Sequence, residues 1–160
     1  MNSEIVVLCI GSNKIIGDSL GPRTAEKLSL VTKDCIIYGN MKHSVNGTNL
    51  PEYVDMLNKK HPDSTIIAVD ACLTTKKEDV GTAKLLPHGV TAGKAVKKNA
   101  PSVGTFSVIG IVGEYGDDVY KTLRSVPAEL IDELAEKTAI LTSLAVKKIK
   151  RGLNISETIV

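Results

Sequence analysis

Two acids stand out, each placed where an apolar run gives out. Asp70 follows "STIIAV", Ser64 to Val69, and a carboxylate there is costly to bury unless it is paired, hydrogen-bonded or protonated. Asp18 lies in "VVLCIGSNKIIGDSLGP", past an apolar strand, a glycine and a polar loop, where a helix begins. If both acids face one cleft, repulsion pushes their proton affinities apart, leaving one carboxyl protonated and the other ionised near neutral pH. Such a pair can activate water against an amide bond. Each also has a plainer reading, Asp18 as a helix N-cap and Asp70 as a strand-end acid capping the next loop.

The glycines of the first loop invite a phosphate-binding reading, which the spacing rejects. A P-loop needs four residues between its glycines and then Lys and Ser or Thr; Gly11 and Gly17 enclose five, and Asp18 follows. An aspartate there occupies the anion's own place at a helix start and repels a phosphate. The loop reads instead as a mount for the carboxylate. Gly11, Ser12, Asn13 and Gly17 would shape a substrate pocket, with backbone amides and the Asn13 side chain holding a carbonyl or its oxyanion.

His88, in "LPHGVTAG", is a further candidate for substrate binding and could alternatively complete an Asp18, Asp70, His88 site for nickel or another divalent ion, although a solvated loop histidine is the simpler reading. His43 follows the second strand and could visit the same edge; His61 has no evident partner. Cys72 has apolar neighbours and no histidine near it in sequence, which suits an inert thiol. Lys76 and Lys77 are expected in solvent. No cofactor is required.

The elements that must position these residues alternate. Strands are expected at Glu4–Ile10, Cys35–Tyr38, Ser64–Ala71, Thr82–Leu86 and Phe106–Val112, the first a continuous apolar run suited to burial on both faces. Helices are expected at Ser19–Leu30, at Leu50–Lys60 with Pro51 in its first turn, and at Val126–Lys150. Ser125 is the candidate cap of the last, with Leu130, Leu134, Leu141, Leu144 and Ala145 near one face. Residues 151–160 read as a frayed tail behind a single domain over 1–150. This order predicts an α/β fold with a mainly parallel sheet, whose ligands bind beyond the carboxyl ends of the strands where strand order reverses. The fourth strand is taken as running with the others, so Asp18, Asp70 and His88 can share that edge.

Composition narrows the function. Twenty basic and 18 acidic residues are dispersed along the 160-residue chain, and aromatic residues make up 3%, leaving neither an electrostatic footprint nor stacking platforms for nucleic acid. No apolar run approaches the ~20 residues that span a bilayer, and the start lacks a secretory signal, so a cytoplasmic protein off the membrane is expected. Cys9, Cys35 and Cys72 read as reduced core residues.

Six stretches, "LCIGSNKIIGDSLGPRTAEKL", "YGN", "NLPEYV", "IIAVDACL", "VGTAKLLPHGVTAGKAV" and "PSVGTFSVIGIVG", together resemble the YyaC-like sporulation proteins of endospore-forming bacteria over about residues 5–148. That family is similar in turn to the spore germination protease and the hydrogenase maturation endopeptidases, which implies a three-layer α/β/α fold. The resemblance places the germination protease's proposed catalytic acids on Asp18 of "DSLGP" and Asp70 of "VDA". In the maturation endopeptidases the matching acids, with a histidine, bind the substrate's nickel, and "GSN" at Gly11 to Asn13 is similar to their opening. "HGVTAG" is more similar to the glycine-rich loop of the spore protease. The chain is much shorter than that protease and has no obvious removable pro-segment, so autoprocessing is not expected. The expectation is a sporulation-associated peptidase of the forespore or mother cell, acting on a peptide or small protein such as a small spore protein. An inactive binding or regulatory protein and a metal-dependent maturation-type endopeptidase are the alternatives. Oligomeric state is open.

Overall fold

A computed structural model describes residues 4–91 and 102–160; Ala92 and Gly93 of the "HGVTAG" stretch lie outside them. Strand β1 (Ile5–Cys9) is followed by a short 3₁₀ turn (Ile16–Ser19) and helix α1 (Leu20–Val31). Then come β2 (Ile36–Tyr38), α2 (Leu50–Lys60) and β3 (Thr65–Thr74). After β4 (Ala83–Leu86), the antiparallel pair β5 (Val90–Thr91) and β6 (Ser102–Val103) precedes β7 (Phe106–Glu114). Helices α3 (Val119–Arg124) and α4 (Ala128–Lys150) precede β8 (Thr158–Ile159).

The main sheet has the order β2-β1-β3-β7-β4-β8. Strands β2, β1, β3 and β7 run parallel. The all-apolar β1 is buried on both faces because alternate side chains enter different cores. Ile5, Val7 and Cys9 join Leu20, Leu28, Leu134 and Leu141 under α1 and α4. Val6, Leu8 and Ile10 join Leu50 and Leu57 under α2. Helices α1 and α4 lie side by side, tied by a buried Thr24–Thr138 hydroxyl contact of 2.6 Å. Ion pairs Arg23–Asp132, Lys27–Glu136 and Asp34–Lys150 cross the same seam.

Several expectations need correction. Strand β4 is antiparallel to β7, with Leu86 opposite Ser107, so it leaves the sheet at the edge opposite the carboxyl ends of β1, β3 and β7. The segment after Arg151 is no frayed tail: β8 pairs with β4, and Ala83 and Val160 exchange two backbone hydrogen bonds of 3.0 and 2.8 Å. Ser125 does not cap α4. It closes α3, its hydroxyl donating to the Lys121 carbonyl, and Pro127 precedes α4. Leu144 is 37% exposed and Leu130 half-buried, because the core face of α4 runs through Ile131, Leu134, Thr138, Leu141, Thr142 and Ala145. Cys9 is buried as a thiol, and burial pushes its pKa far above the ordinary thiol range.

Candidate active site

Strand order reverses at β1, which has β2 on one side and β3 on the other. The crevice between the carboxyl ends of β1 and β3 is therefore the topological switch point. The Ile10 amide donates to the Val69 carbonyl at 2.7 Å, carrying the β1–β3 ladder one residue past β1. Gly11 then turns away. Its amide donates to the Val45 carbonyl at 2.7 Å, and Ile10 and Val45 form an isolated parallel bridge. The segment after β2 thus crosses back over the end of β1 and walls one side of the crevice.

Asp18 sits on the 3₁₀ turn rather than on an α-helical N-cap. Its Oδ2 accepts a 2.8 Å hydrogen bond from the Ser12 amide, six residues back, closing the loop on itself. Gly11 allows that closure: it has φ +153°, and a Cβ there would stand 1.9 Å from the Asp18 carbonyl oxygen. Burial pushes the Asp18 carboxyl above the ordinary aspartate range, and the Ser12 N–H partly opposes this. Asp70 lies on β3, in register with Ile109 of β7 and only 4% exposed, its Oδ1 accepting from the Ala71 amide at 2.9 Å.

Both acids line one cleft of about 1170 Å³, roomy against the ~300–1,000 Å³ of ordinary small-ligand sites. Gly11, Ser12 and Asn13 line it as well, and so does His43. The Gly11 and Ser12 amides expected to hold an oxyanion are already engaged, however, and so is one hydrogen of the Asn13 side-chain amide. Gly11 N–H is given to Val45, Ser12 N–H to Asp18, and the Asn13 Nδ2 to the Met41 carbonyl at 2.8 Å. These residues brace the loop.

Gly17 does not line the cleft. It is buried under α3, where a Cβ would meet the Leu123 carbonyl oxygen at 2.6 Å. His88 is also elsewhere. It is exposed at the opposite edge, its carbonyl accepting from the Ser107 hydroxyl at the start of β7, because β4 is reversed. The set Asp18, Asp70, His88 is not assembled, and among the described residues no group of three or more His, Cys, Asp or Glu side chains is placed to hold a metal ion. The described donors at the cleft thus form no such set. His61 is engaged far from the cleft, between the Glu4 carboxylate and the Tyr38 hydroxyl.

The far wall of the cleft went unanticipated. Ser44, Asn46, Thr48, Asn49, Asp55 and Asn58 line it, held by the Asn49 Oδ1 accepting from Asn46 N and the Asn49 Nδ2 donating to the Ser44 carbonyl. The signal was a polar segment between strand and helix beside the switch point.

Residues 1–140 match the model of the family described as "Protein of unknown function (DUF1256)". The chain belongs to that family. A curated relative of this DUF1256 protein is the uncharacterized protein YyaC of Bacillus subtilis, 33% identical over 136 residues. The match covers 84% of this chain and 66% of the relative, so the chain spans about two thirds of that relative's length. Among solved structures, a NiFe hydrogenase maturation protease, HycI, from Thermococcus kodakarensis matches with a TM-score of 0.56 and 20% identity, over 91% of this chain and 93% of that one. The E. coli hydrogenase maturating endopeptidase HybD matches with a TM-score of 0.53 and 15% identity, over the same shares. The DUF1256 protein thus has the α/β fold of these proteases, with a mainly parallel central sheet. Among its described residues no helix is long and apolar enough to cross a membrane.

Proposed function

We propose that the cleft binds a peptide or small protein segment and hydrolyses one of its amide bonds, with Asp18 and Asp70 activating water. The observation that carries this is the opening of two carboxyls, one beyond β1 and one on β3, onto a single cleft at the switch point. The fold shared with the two maturation proteases and the spore-protease resemblance of "DSLGP" and "VDA" support it.

In this mechanism Asp70 takes a proton from water as its oxygen attacks the amide carbon. Asp18, whose burial favours its protonated form, gives a proton to the departing amine as the C–N bond breaks. Transfer from Asp70 to Asp18 through solvent restores the pair. The two carboxyls need no metal in this reading, which expects chelators to leave the rate unchanged; loss of activity on chelation would favour the metal-dependent alternative. The germination-protease type of activity, a sporulation role, small spore proteins as substrates and a forespore or mother-cell location belong to the same reading.

Purified protein should cleave a small spore protein or derived peptide. Asp70→Asn should lower the rate by at least ~10²-fold, the scale of general acid–base catalysis, with an unchanged circular dichroism spectrum. Cleavage retained in that variant would sink the dyad. A second reading, a binding or regulatory protein, is favoured by the engagement of the Gly11 and Ser12 amides inside the loop; tight binding without cleavage, insensitive to Asp70→Asn, would establish it.

A further inference from the structure

Among the described residues one face of α4 has no partner in the fold, and its charge pattern says what would cover it. Opposite the core face runs a stripe at helical spacing: Glu133, Glu136, Ile140, Leu144, Lys147 and Arg151. All six are exposed, and Ile140 is 64% exposed. The stripe reads acid, acid, apolar, apolar, base, base, with spacings of three and four residues, the pattern of a helix seam that meets another helix. Among the described residues only Glu136 of its four charges makes an ion pair within the chain, with Lys27.

Leu30 and Val31, 84% and 64% exposed, widen the apolar centre. They end α1 between Lys27 and Asp34, which pair with Glu136 and Lys150 of α4. An exposed apolar strip rimmed by charge marks an association surface.

The sequence of charges selects the occupant. A two-fold contact is isologous, so the surface must complement its own copy turned end for end. Laid antiparallel on itself, the stripe sets Glu133 against Arg151, Glu136 against Lys147 and Ile140 against Leu144, and every pairing is favourable. Laid parallel it sets like charge on like. We infer that α4, flanked by the end of α1, is the face through which two copies of this chain pair as an antiparallel homodimer. No residue of α1 or α4 lines the cleft, so pairing leaves it open, and the inference stands independently of the proposed activity.

Sedimentation equilibrium of the full chain tests it. The wild type should dimerise reversibly as concentration rises. Ile140→Glu should weaken the constant by at least about tenfold, roughly 1.4 kcal/mol, while keeping the wild-type helical signal and, at dilutions where both are monomeric, the wild-type melting temperature. Arg151→Glu should weaken it several-fold through the Glu133 contact, and Glu133→Arg combined with Arg151→Glu should return it to near wild type. A chain monomeric at all concentrations would overturn the inference. So would a dimer indifferent to Ile140→Glu, or a charge-swapped double variant no tighter than the single one.

Discussion

Replacing Gly11 by alanine puts one methyl group into the hinge of the candidate site. The new Cβ would stand 1.9 Å from the Asp18 carbonyl oxygen and 3.2 Å from Pro22 Cδ. Neither neighbour can step aside cheaply, since one is backbone and the other is buried at the head of α1. A non-glycine residue in that extended positive-φ backbone costs about 1–3 kcal/mol, and forcing a methyl into a packed position costs about 1–3 kcal/mol more. At ~2–4 °C per kcal/mol for a domain of this size, the middle of that combined range lowers the melting temperature by roughly 8–16 °C. Gly47 is the matched control: it lines the same cleft, and a Cβ there meets nothing within 4 Å. Gly47→Ala should move the melting temperature by no more than ~4 °C, from unfolded-chain entropy alone. Thermal unfolding by far-UV circular dichroism compares the two. Gly11→Ala melting alongside Gly47→Ala would refute the claim that Gly11 exists to let the loop close on Asp18.

Asp18→Asn should make the fold more stable relative to wild type as pH rises. Burial raises the folded-state pKa above the unfolded value near ~3.9, so the wild type loses stability from about that pH up to the raised pKa, a loss the asparagine does not share. The gain should vanish at low pH, and denaturant titrations from acid to neutral pH read it. Deleting residues 153–160 removes the two Ala83–Val160 hydrogen bonds and the packing of Ile155; at least about 1–3 kcal/mol should disappear from the urea-unfolding free energy. His88→Ala should leave substrate turnover within about twofold of wild type, because the side chain is exposed at the edge away from the cleft; a deeper loss in a turnover assay would return His88 to the site.

The parts of the fold with strong periodic burial were legible in the sequence. "IVVLC" could only be a strand apolar on both faces, and the helical spacing of Leu50 and Leu57 gave α2 its bounds. Direction was not legible. A four-residue strand such as "AKLL" reads alike both ways, and pairing with β7 rather than any local signal turns it antiparallel and carries His88 away. Helix α3 is only six residues long, too short for periodicity, although Asp118 capping it through the Lys121 amide left a trace in "DVYKTLR". At the site, residue types located both acids at one sheet edge. The partners of Gly11 and Ser12 were out of reach, since one is a backbone oxygen 34 residues away, at Val45, and the other depends on how the loop folds back onto the Asp18 side chain, which residue types do not announce.

The two acids are mounted on parts of the molecule with different freedom to open. Asp70 belongs to a strand laced between β1 and β7, and amides there exchange with deuterium only through events close to global unfolding. Asp18 is joined across its loop by a hydrogen bond to the half-exposed Ser12, a bond that local fluctuation breaks. The Ser12 amide is therefore a built-in reporter. Its exchange rate measures how often the Asp18 side of the cleft swings open while the Asp70 side stays fixed, and a ligand gripped between the two should slow it.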